Sequence, residues 1–126
     1  MLRSFHDGNV VSYEVQCEQR IIVLRVRATD QTIHTVTFSG VEGYHFEHDA
    51  FGNIIDALEQ VPFEQILSDQ AAQIEESFRL SGSPGPWAHD LAIARATFSS
   101  QGVHGFVLSS SYGMSGWLLA REVVMA

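Results

Sequence analysis

The chain has one cysteine, three prolines and no lysine: its seven basic residues are all arginine, against fifteen Asp and Glu, for a formal charge of −8. With Cys17 as the single thiol, no intramolecular disulfide can form, and a thiolate zinc site would lack ligands. An acidic field repels phosphate backbones and excludes nucleic acid as an expected partner. Arg20, Arg25 and Arg27 are the one local basic group, and it is small. No run approaches the roughly eighteen apolar residues of a membrane-spanning helix, and MLRSFHDGNVV has no apolar core of signal-peptide length. These absences predict a cytoplasmic protein that does not enter a membrane.

Motifs of chemistry are also missing. Gly113-Met114-Ser115-Gly116 is one residue short of a G-x-S-x-G nucleophile elbow and falls between two apolar runs, not at a strand-to-helix turn, so neither Ser110 nor Ser115 reads as a nucleophile. In HFEHD, residues 45–49, His45 and His48 would point to opposite faces of a strand, unlike the helical i, i+4 pair of HExxH. His6-Asp7 could join them only if folding brought the N-terminus there. No metal and no cofactor is expected, and no catalytic residue is assigned. Cys17, on the apolar parity of the first strand, reads as a buried structural thiol.

What is present is a globular balance. The chain has 126 residues, 45% hydrophobic and 17% charged, enough for one core and too few for two, so residues 1–126 are expected to form a single domain. From Val11, residues 10–17 alternate apolar and polar, as a half-buried strand does. Residues 20–29 continue with Ile22, Leu24, Val26 and Ala28 inward and Arg25 and Arg27 outward. A third strand begins at Ile33, and Gly40 and Gly43 predict a bend before it runs on to His48. Asp49-Ala50-Phe51-Gly52 has type I turn chemistry. Residues 53–61 fit a returning strand, or nearly as well a short helix capped by Asn53; the strand is preferred.

Pro62 and the spacing of Phe63, Ile66, Leu67, Ile74 and Phe78 predict a helix over 62–80 with Glu64, Asp69, Glu75 and Glu76 outward. SGSPGPW is a loop. Pro86 opens a second helix with Trp87, Leu91, Ala94 and Phe98 as its apolar stripe and Gly102 as terminator. Residues 103–110 and 116–125 are apolar on both parities, which predicts strands buried on two faces and joined by a hairpin through Tyr112-Gly113-Met114-Ser115-Gly116. Trp117 is expected to anchor the returning strand. The fold expected is α+β: a curved, mainly antiparallel sheet of five or six strands, with two helices between the N-terminal strands and a C-terminal hairpin.

FHDGNVVSYEV, the arginine-bearing second strand, FSGVEGYHF and FGNII together resemble small uncharacterised bacterial proteins, some of which resemble immunity proteins of toxin systems. The resemblance spans about the first half of the chain and carries over no functional residue. It implies a sheet-based binding protein, and the acidic charge suits a basic partner such as a nuclease toxin. The expected function is a non-enzymatic protein-binding module, with Tyr112, Met114, Trp87, Glu75 and Glu76 as contact residues; a homodimer is compatible with the sequence. The alternative is a small-molecule binder or hydrolase whose pocket lies near Trp87, with His45 or His48 at its rim. A concave apolar pocket favours the alternative, and a convex acidic face favours the first reading.

Overall fold

The first strand does not keep its alternation. In the computed structural model, which describes residues 5–126, β1 (Asn9–Gln16) pairs with β2 (Ile21–Arg27) through a bulge between Val10 and Ser12. The extra residue shifts the inward parity, so Val10 is buried in the core while Val11, expected inside, is exposed. Cys17 lies just beyond β1 and is likewise exposed, which corrects its reading as a buried thiol. β2 then pairs with β3 (Ile33–Ser39), and the chain bends at Gly40–Glu42, as the glycines predict, into β4 (Gly43–Glu47). Residues 54–61 form strand β5 (Ile54–Val61), not a capped helix.

Two helices then become three. The expected helix over 62–80 is broken at Gln70 into α1 (Phe63–Asp69) and α2 (Ala71–Ser81). The break lets α1 lie on the sheet while α2 packs on a 3-10 turn, Pro86–His89. That turn holds Trp87 and is separate from α3 (Leu91–Gln101), because the Asp90 carboxylate accepts hydrogen bonds from the amides of Ala92 and Ile93 and starts a new helix. Gly82 and Gly102 end α2 and α3 in the left-handed conformation.

The last strands are β6 (His104–Tyr112), β7 (Ser115–Ala120) and β8 (Glu122–Met125), split at Arg121 where one strand was expected. All eight strands form one antiparallel sheet in the order β4-β7-β6-β5-β1-β2-β3-β8. The α+β class and antiparallel pairing hold; the count of five or six strands and two helices is corrected to eight strands and three helices, because backbone kinks divide runs whose hydrophobic pattern is continuous.

These kinks curl the sheet. β4 pairs with β7 and β3 with β8, so two bent ribbons lie side by side, and the Arg121 amide donates to the carbonyls of Ser39 and Gly40 at the bend. Although β5, β1 and β2 separate them in the sheet order, Phe38 of β3 and Phe106 of β6 meet edge to face at 4.9 Å. The sheet is therefore wrapped round an interior that includes Phe5, Leu24, Val26, Ile55, Leu58, Leu108 and Leu118. On its outer face Phe63, Ile66, Ile74 and Phe98 of the helices pack with Trp117 and Leu119. Interior on one side and helices on the other explain why 106–108 and 117–119 are apolar on both parities.

The wrap has an open seam. β1 pairs with β2 along its length but with β5 only at Asn9↔Ile54, and β4 pairs only with β7. β1 and the segment from β4 to residue 53 thus flank two clefts, and the rings of Tyr13 on β1 and Phe46 on β4 meet with centroids 6.0 Å apart.

Candidate functional site

The larger cleft, about 440 Å³, lies between the end of β1, the start of β4 and the loop that carries Pro84 and Trp87. Trp87 is seated against bare backbone: a Cβ on Gly43 would lie 2.8 Å from its Cζ2 and one on Gly85 would lie 2.7 Å from its Nε1. Its Nε1 donates to the Glu42 carbonyl at 2.8 Å, which fixes the indole. Val15, Ile21, Ile22, Val41, Tyr44 and Pro84 add apolar lining. The polar groups are Gln16, Cys17, Arg20 and Glu42. The Glu42 side chain, 13% exposed, takes Arg121 Nη2 at 2.8 Å and, more loosely, Arg20 Nη1 at 3.6 Å. Gln101 Oε1 accepts from the same Arg121 nitrogen at 3.0 Å.

At the other end of the seam the segment 48–53 closes over the second cleft. Asn53 is the one buried polar side chain among the described residues. Its Oδ1 accepts from the amides of Ala50, at 2.9 Å, and Met114, at 2.8 Å, and its Nδ2 donates to the Ala50 carbonyl at 2.7 Å. One side chain so ties the β4–β5 loop to the β6–β7 hairpin. The loop carries Phe51, fully exposed, with Tyr112 beside Gly52 and the partly exposed Tyr13 and Val11 lining the same cleft. The Tyr13 hydroxyl donates a hydrogen bond to the Asp49 carboxylate. That bond holds the Asp49 carboxyl below the usual carboxylate range and, with some burial, raises the Tyr13 phenol above its ordinary value of 10.0.

The residues picked from sequence do not converge. Tyr112 is exposed at the rim, whereas Met114 is wholly buried in the interior cluster and reaches no surface. Trp87 is half-buried in the larger cleft. Glu75 and Glu76 are exposed on α2, and Glu76 pairs with Arg79 at 2.6 Å. His45 lines a third, polar niche of about 270 Å³ with Glu47, Asp69, Gln73 and Trp117, so neither it nor His48 borders the Trp87 cleft. There Gln73 bridges Trp117 Nε1, at 3.3 Å, and His45 Nδ1, at 3.4 Å. Among the described residues no group of three or more His, Cys, Asp or Glu is arranged to hold a metal ion. His6 sits 3.4 Å from Asp56 and 3.7 Å from Asp7. The Ser110 hydroxyl donates to the Met114 carbonyl within the hairpin.

Sequence reasoning passed over Phe51 and Glu42, and read Asn53 only as a possible helix cap and Arg20 only as one of a small basic group. Phe51 carries a signal that could have found it: a large aromatic inside a turn whose geometry needs none. The pairing of Glu42 with Arg20 carries none, because it depends on the Gly40–Glu42 bend. Among the described residues no helix is long and apolar enough to cross a membrane. Compared with protein-family models, with curated proteins and with solved structures, the chain matches none.

Proposed function

We propose that the chain is a non-enzymatic protein-binding module, immunity-like in kind, that presents the aromatic rim of Phe51, Tyr112 and Tyr13 to a basic partner protein. The observation that carries this reading is the clamped exposure of Phe51. A fully exposed phenylalanine costs solvation and adds nothing to the core, yet the loop that holds it is fixed by the Asn53 side chain, which accepts two hydrogen bonds and donates one. An aromatic on a fixed loop costs little backbone entropy on docking, and aromatics are frequent anchors of interfaces. Asp49 lies on the same loop, and the charge of −8 would speed encounter with a cationic surface.

The test uses the whole chain as bait in an extract of its host, beside Phe51→Ala and Tyr112→Ala. A partner held by the wild type should be lost or weakened by about 2 kcal/mol, roughly thirtyfold, in at least one variant, and its binding should fall as salt rises. Capture of the same proteins by all three baits, or of none, would reject the rim as the contact surface.

A further inference from the structure

The Trp87 cleft lies outside the aromatic rim, and its charge arrangement is unusual for so acidic a chain. Two guanidinium groups, Arg20 and Arg121, meet one carboxylate, Glu42. Arg121 has the close contact with Glu42 and a second partner in Gln101, so that pair is largely satisfied. Among the described residues Arg20 has only the longer contact, its side chain is 60% exposed, and it lines the cleft directly. One positive charge is left unneutralised at the wall of a concave space whose remaining lining is mostly aromatic, aliphatic and proline. A largely apolar pocket of a few hundred Å³ with a few polar groups on its wall, here Gln16, Cys17, Arg20 and Glu42, is the usual form of a small-ligand site.

We propose that this cleft binds a small, flat, apolar monocarboxylate, an aryl or arylalkyl carboxylic acid, with its ring against Trp87, Tyr44 and Pro84 and its carboxylate on the Arg20 guanidinium. The indole is already held by the Glu42 carbonyl, so it offers the ligand a preset face and no free donor. A second anionic group on the ligand would meet Glu42, which restricts the class to monoacids. A cation would be repelled by Arg20, and a phosphate ester, which carries more charge and less apolar surface, would leave the lining uncovered. Arg20 supplies the planar, bidentate donor geometry that carboxylates prefer.

The test is a nuclear magnetic resonance titration of the full chain with 3-phenylpropionate and with its neutral amide, 3-phenylpropionamide. The acid should shift the Trp87 indole N–H and the amides of Gly43 and Gly85 saturably, and should bind about tenfold more tightly than the amide. Arg20→Gln should bring the acid to the amide's affinity and leave the amide unchanged. Cys17, the chain's single cysteine, gives a second readout on unmutated protein: the acid should slow its reaction with N-phenylmaleimide, and the labelled protein should no longer bind the acid. Equal affinity for acid and amide, shifts centred elsewhere, or no saturable shift up to about 10 mM would each overturn the proposal.

Discussion

At the scale of single residues, Asn53 shows how one buried polar side chain can tie two surface loops together. Replacing it with alanine leaves the amides of Ala50 and Met114 without their acceptor; Asn53→Ala should cost about 1–3 kcal/mol in denaturant unfolding. Trp117 is 3% exposed in the outer cluster, and Trp117→Ala should cost about 3–5 kcal/mol by the same measurement. Phe51→Ala should leave the melting temperature unchanged, since Phe51 buries nothing. The Tyr13–Asp49 bond makes a pH prediction. Asp49 has a lowered folded pKa, so its contribution is present above the unfolded carboxylate range and is lost as pH falls through that lowered value. The raised Tyr13 pKa has the opposite sense: its contribution is complete below 10.0 and is lost as pH rises through the folded value. Carbon-detected titration should show Asp49 below the usual carboxylate range, and Tyr13→Phe should move it up towards that range; an Asp49 unaffected by that change would refute the coupling.

At the scale of elements, kinks and close approaches decide what the hydrophobic pattern leaves open. Gly113 has the positive φ of 90° that suits glycine in a hairpin turn. The hairpin was expected to run through Gly116 as well, but Gly116 lies within β7, and a Cβ there would stand 1.9 Å from the His45 carbonyl oxygen of β4. Its role is to let β4 approach, so Gly116→Ala should separate β4 from β7 and be seen as faster amide exchange in both strands; unchanged protection would refute it. Asp90→Ala should lower stability by about 1 kcal/mol through loss of the α3 cap. The strands 33–39 and 104–112 were legible because their apolar residues repeat at a clear period or fill both parities. The breaks at Gln70 and Arg121 were not, because each falls inside a run whose local propensity and pattern permit one continuous element.

At the scale of the whole molecule, the seam beside β1 separates a well-closed part from an open one. β2 and β6 have strands on both sides, whereas β1 beyond Val10 and β4 each have a free edge. Amide exchange should be slowest in β2 and β6, and β1 and β4 should exchange faster. Both candidate surfaces, the Phe51 rim and the Trp87 cleft, lie along this seam.

The sequence by itself determined the α+β class, the antiparallel strands, the two-faced burial of 106–108 and 117–119, and a strongly acidic chain, since composition and short-range periodicity are local properties. Tertiary structure alone decided that the sheet wraps upon itself, that Val10 and not Val11 faces the core, that Cys17 is exposed, and that Glu42 meets Arg20 and Arg121. Each of these depends on a bulge or bend whose position is chosen by packing between strands distant in the chain, and no local pattern records which partner will be there.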